Sequence, residues 1–230
     1  MAALSAHDVS LILGVLCWVL LIGVAVPRRA KLAEGVFVNR YEVEQKFWVD
    51  DLAALRRQLL ERGIVLDPPL EESDHYFAHP ARDFVQTDEA LRIRNKQGKV
   101  FLTYKGPKLD LPTKTRHEIE LPLGEGEPVV LQWRSLLETL GFRPVAEVRK
   151  RREKGRIPHA DRIVEISLDD VVGLGTFAEL EVVVDADDLA QAQTVIISLA
   201  GLLGLSKVER RSYLSLLLER LARGEPLSSG

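Results

Sequence analysis

Residues 41–47 read Tyr41-Glu42-Val43-Glu44-Gln45-Lys46-Phe47 (YEVEQKF). Alternation puts Glu42, Glu44 and Lys46 on one side of a strand and Tyr41, Val43 and Phe47 on the other. An ordinary half-exposed strand shows such charges to water. The same pattern suits a strand whose charges line an enclosed site. The other strands decide between these readings.

Further strands are expected at 75–78, 90–94, 100–105, 116–121, 145–153, 162–168 and 177–184, with Asn95-Lys96-Gln97-Gly98 as a turn. The spacing predicts helices over 51–62 (Asp50 as N-cap, Gly63 as stop), 129–140, 189–203 and 208–221. Hairpin-length connections favour antiparallel pairing, so the expected class is α+β with one sheet or barrel.

The charged pattern recurs along these strands. Arg92 and Arg94 alternate with apolar residues, and Lys105 shares its face with Thr103. Arg116, Glu118 and Glu120 form another such row, as do Glu165, Ser167 and Asp169, and the pair Glu179 and Glu181. Solvent-facing strand positions usually mix Thr, Ser, Lys and Gln. Here both signs of full charge occur within single short strands, which suits a cavity holding an anion and a metal together. Arg grips closely spaced phosphate oxygens in a bidentate manner and Lys acts as a point charge. Mg²⁺ or Mn²⁺ takes carboxylate oxygens and bridges them to phosphate. The G-x-x-x-x-G-K-[ST] loop is absent, so side chains would hold the phosphate rather than a glycine-rich backbone cradle.

Glu42-x-Glu44-x-Lys46 resembles the ExExK signature of the CYTH family, which includes class IV adenylate cyclases and thiamine or inorganic triphosphatases. The stretches HPARDFVQTDEALRIR (79–94), TYKGP (103–107), RHEIE (116–120), VRKRRE (148–153) and LDDVVGLGTFAELE (168–181) follow in the family's order. The resemblance implies an eight-stranded antiparallel barrel-like tunnel with flanking helices and inward-pointing charges. It implies a triphosphate site of Lys46, Arg92, Arg94, Lys105, Arg116, Lys150 and Arg152. It implies Glu42, Glu44, Glu179 and Glu181 as ligands of Mg²⁺ or Mn²⁺, with Glu118, Glu120 and Asp169 as further acidic tunnel residues. Glu42, Glu44 and Lys46 are the expected catalytic group. Lys150 and Arg152 share parity with Val148, but the adjoining Arg149 and Arg151 leave the inward face of that strand open. His75, His79, His117 and His159 fall outside the matched charges and read as structural or surface residues.

The wording of 79–94 and 102–107 is most similar to the class IV cyclase branch. There, the ribose 3′-oxygen of ATP attacks the α-phosphorus and pyrophosphate leaves. Hydrolysis of the terminal phosphate of tripolyphosphate or thiamine triphosphate is the alternative the same tunnel would serve. A non-catalytic nucleotide or polyphosphate sensor is a third reading, disfavoured because all four expected metal carboxylates are present.

Composition bounds the rest. The chain has 230 residues, 46% hydrophobic and 28% charged, enough for a folded domain with a core. A net charge of −3, with bases interleaved among acids, argues against a nucleic-acid partner. The single cysteine, Cys17, excludes an intrachain disulfide and a multi-cysteine zinc site. Val9 to Val26 contains no charged residue and is followed by Pro27-Arg28-Arg29-Ala30-Lys31. As a helix this run would span about 27 Å, close to a bilayer's hydrocarbon core. The basic cluster on its C-terminal side would place the following domain in the cytoplasm. The expected organisation is an anchor and linker over 1–38, a tunnel domain over 39–225 and a tail over 226–230. If 1–38 is translated sequence upstream of the native start, the protein would be soluble and cytoplasmic. The expected partner is a small triphosphate; a membrane tether and a homodimer are the other associations considered.

Overall fold

The computed structural model describes residues 41–107 and 114–225. The expected anchor and linker, and the tail 226–230, lie outside the described residues. Among the described residues no helix is long and apolar enough to cross a membrane.

Eight strands close on themselves. They are β1 (Tyr41–Trp48), β2 (Leu70–Ala78), β3 (Ala90–Lys96), β4 (Lys99–Lys105), β5 (Lys114–Glu125), β6 (Arg143–His159), β7 (Arg162–Val171) and β8 (Gly175–Val184). Around the ring the order is β1-β5-β4-β3-β2-β6-β7-β8 and back to β1, with every neighbour antiparallel. The strand β9 (Val208–Glu209) adds to β1 beside Lys46 and Phe47. The expected antiparallel barrel is therefore present. Tight hairpins set its register: Gln97 and Gly98 both adopt positive φ (49° and 91°), as a two-residue turn between twisted strands requires.

The hydrophobic core lies outside this ring. Val43 and Phe47 of β1, Ile166 and Leu168 of β7, and Leu180 and Val182 of β8 face outward. They pack under helices α1 (Leu52–Glu61) and α4 (Leu189–Leu203), which contribute Leu55, Leu59, Ile196 and Leu199. A second outer cluster joins Leu91, Ile93 and Val100 to Val130 and Leu137 of α3 (Glu127–Thr139), and to Phe84 of the short α2 (Phe84–Thr87). Burying each such side chain contributes about 1.5–3 kcal/mol, so the outer layers supply the stability and leave the interior to charges. A third cluster closes part of one barrel end. There Val148, Val171 and Phe177 meet Tyr213, Leu216 and Leu217 of α5 (Tyr213–Ala222).

Several local expectations change. Asp51, not Asp50, caps α1, its Oδ1 accepting from the Ala54 amide at 2.8 Å. The strand expected at 75–78 begins at Leu70, directly after Pro68-Pro69. Its earlier part, Glu71-Glu72-Ser73-Asp74, is too polar to read as a strand with one wet face. The helix expected over 208–221 is in fact β9 followed by α5, which starts at Tyr213 after its Ser212 cap. Strand β6 runs to His159, well past Glu153, paired with β7 throughout that extension; Arg151-Arg152-Glu153-Lys154 offers no apolar alternation by which the sequence could show it.

Candidate functional site

A cavity of about 1160 Å³ lies within the ring. Its lining includes Glu42, Glu44, Lys46, Arg92, Arg94, Lys105, Arg116, Glu118, Glu120, Lys150, Arg152, Glu179 and Glu181. Asp169, fully buried, stands directly behind Arg152. The side of β6 left open by the sequence is settled: Val148, Lys150 and Arg152 point inward and are buried, while Arg149 and Arg151 are exposed.

Burying this many charges requires that they satisfy one another. Arg94 makes a bidentate pair with Asp74, at 2.6 Å from Nε and 2.8 Å from Nη2. Arg92 Nη1 also reaches Asp74 Oδ2 at 3.3 Å, and the Tyr76 hydroxyl at 3.3 Å. Burial works to raise the Asp74 carboxyl, but the two arginines hold it far below the usual range. Lys150 Nζ lies 3.2 Å from Glu72 Oε2. Burial opposes ionisation of Glu72 as well, yet Lys150, Arg152 and Arg94 bring its pKa to about 2. Burial pushes the Lys150 ammonium down, with Arg152 and Arg94 adding to the effect. Arg152 forks onto Asp169, at 2.6 Å from Nε, and also reaches Glu179.

Nearer the start of β1, the balance shifts toward acid. Lys105 Nζ sits 2.7 Å from Glu42 and 2.8 Å from Glu118. Burial, then the neighbouring Glu181 and Glu118, push the Glu42 carboxyl well above its ordinary range despite Lys105. Glu181 is raised too, by burial and then by Glu44. Arg116 is tied to the loop before β3: its Nη1 donates to the Asp88 carbonyl at 3.3 Å.

These positions bear on the expected metal ligands. Glu42 and Glu181 share the acid-rich group with Glu118, whereas Glu179 is engaged by Arg152 deeper in the cavity. Among the described residues no three carboxylate, histidine or cysteine groups converge to ligating distance. The donor chemistry nevertheless fits a hard divalent cation, since carboxylates crowded around one lysine carry negative charge that such an ion would offset.

The sequence reading missed Glu72, Tyr76 and Tyr213, which line the cavity, and Asp74, which pairs with Arg92 and Arg94 of its wall. Glu72, Asp74 and Tyr76 sit at alternate positions of LEESDHYFA, so a period of two was there to find. Tyr213 arrives on a helix remote in sequence, and alternation within strands could not have found it.

The CYTH domain profile matches residues 40–213, all but the last helix of the barrel and its cover. The chain belongs to the CYTH family. A candidate adenylate cyclase of Methanocaldococcus jannaschii is 39% identical over 178 residues, 76% of this chain and 97% of that protein. The adenylate cyclase CyaB of Aeromonas hydrophila is 30% identical over 187 residues, covering 78% and 90%. Among solved structures, the PH1819 protein of Pyrococcus horikoshii is 42% identical with a TM-score of 0.68, covering 78% of this chain and 99% of that one. The CYTH signature Glu42-x-Glu44-x-Lys46 thus lies on the strand that opens and closes the ring.

Proposed function

We propose that this CYTH protein is a divalent-metal-dependent enzyme that binds a triphosphate in its tunnel and converts ATP to cyclic AMP and pyrophosphate. The observation that carries the triphosphate reading is the cation set of one cavity: Lys46, Arg92, Arg116, Lys150 and Arg152 are buried there, and Arg94 and Lys105 line it partly buried. Among the described residues, Arg92 Nε is buried without a hydrogen-bond partner, a donor ready for an anion. The cyclase reaction is favoured by the names of the 39% and 30% identical relatives.

In this reading the basic residues exchange their carboxylate partners for phosphate oxygens, and Arg94 and Arg152 keep their fork geometry. Glu42, Glu44 and Glu181 would hold Mg²⁺ or Mn²⁺, with Glu179 as a further donor once Arg152 turns to phosphate. Such an ion, when bound, supplies Lewis-acid polarisation of phosphoryl oxygens. Lys46 and the arginines orient the triphosphate so that the ribose 3′-oxygen lies in line with the α-phosphorus. The new O–P bond forms as the bond to pyrophosphate breaks, and the buried arginines stabilise the charge moving onto the leaving group. The 3′-hydroxyl proton passes to a carboxylate of the acid-rich group not taken by the metal, for which Glu118 is placed beside Lys105.

The test is an incubation of the protein with Mg²⁺ or Mn²⁺ and either ATP or tripolyphosphate. Cyclic AMP with equimolar pyrophosphate is the expected result. Orthophosphate from tripolyphosphate, with no cyclic AMP from ATP, would assign the tunnel to hydrolysis instead.

A further inference from the structure

Helix α5 enters the cavity through its first residue. Tyr213 is buried, and its ring and its hydroxyl do separate things. The ring lies across the Lys46 ammonium, 3.8 Å from Nζ to the centroid, with Lys150 Nζ at 5.4 Å. The hydroxyl donates to Asp169 Oδ2 at 2.7 Å. Asp169 is the carboxylate on which Arg152 forks. One side chain therefore touches, directly or through one partner, three cations of the anion site. The phenol ring is itself wedged edge-on against Phe177, at 4.9 Å between centroids.

The choice of an aromatic partner has an electrostatic consequence. A carboxylate would hold a buried ammonium and cancel its charge. An aromatic face attracts the ammonium through its quadrupole and leaves the net positive charge in place. A ring that holds an ammonium in this way fixes its position without itself cancelling the charge.

We infer that Tyr213 is a positioning residue for the anion site, its ring placing Lys46 and Lys150 and its hydroxyl, through Asp169, placing Arg152. The inference rests on the triphosphate reading of the cavity and extends the site to a helix outside the barrel wall.

The experiment measures tripolyphosphate binding to the full chain by calorimetry without metal, with melting curves to establish that each variant is folded. Tyr213→Phe keeps the ring and removes the hydroxyl, and should weaken binding about fivefold, the worth of one hydrogen bond. Tyr213→Leu removes both and should weaken binding about thirtyfold. A helix merely held in place by Tyr213 would not depend on Lys46. In a Lys46→Ala background, the gap between the Phe and Leu substitutions should therefore shrink to about twofold, the residue left by Lys150. An unchanged gap overturns the inference. If the Leu variant does not fold, Tyr213→Phe is paired with Asp169→Asn instead: the fivefold loss should vanish in the Asn background, and its persistence overturns the inference. Wild-type protein that binds no tripolyphosphate overturns both this inference and the triphosphate reading. Wild-type binding with both Tyr213 variants unaffected overturns this inference alone.

Discussion

Asp74 shows at the scale of one residue how the interior is balanced. Its carboxylate serves Arg92 and Arg94 together and is almost fully buried. Removing one member of a buried ion group leaves the others uncompensated, at a cost of about 3–5 kcal/mol. Asp74→Ala should lower the stability of the ligand-free protein by about that amount in denaturant titrations. Added tripolyphosphate should restore much of the loss, because the freed arginines find the anion they were withheld from. A variant with unaltered stability would mean that the arginines are adequately solvated without Asp74. The catalytic assignment has its own test: Glu44→Gln and Arg94→Ala should each cut turnover at least about 100-fold while far-UV circular dichroism stays unchanged. Near-normal rates in both would remove these residues from the chemistry.

Among the elements, β9 and α5 act as a clasp at one barrel end. Glu209 accepts from the Trp48 indole at 3.0 Å and from the Arg211 backbone and guanidinium. Those bonds, Arg211 first, hold the Glu209 carboxyl at about 2 against its ordinary 4.5. A carboxyl depressed by folding stabilises the fold above its ordinary pKa, and that contribution is lost as pH falls through the depressed value. The clasp should thus hold down to about pH 4.5 and release between there and about pH 2. The indole N–H resonance of Trp48 reports it directly. It should move across that window in the native protein and stay put in Glu209→Gln. Strand β1 was legible because its charges alternate with apolar residues that meet helices. The charge rows of β3, β5, β7 and β8 were legible for the same reason. The first half of β2 was not, because Glu71 and Glu72 are adjacent and only one of them faces inward. Nor was β9, since two residues carry no periodicity and their strand identity comes from pairing with Lys46 and Phe47.

At the scale of the whole molecule the barrel is inverted, with its apolar layers outside and its ions within. The ring is also unevenly sewn. Among the described residues β1 pairs with β8 over eight positions and with β5 over four, Tyr41–Glu44 against Lys114–His117. Beyond Glu44 that edge of β1 is occupied instead by β9. In a cask, the joint with the shortest overlap is where the staves part first. Among the described residues fewer ladder pairs cross this joint than the β1–β8 joint, so opening it exposes less of their paired backbone. Amide exchange should accordingly be faster for Glu42 and Arg116, whose N–H groups point across this joint, than for Gln45 and Leu180, and a bound triphosphate should slow the former more. Equal protection on both flanks of β1 would show a wall of uniform strength. Glu42 and Arg116 face each other across this joint. This short overlap therefore runs between Glu42 of the signature motif and Arg116, two charges that the proposed triphosphate reading sets against the substrate, and widening it would make room between them.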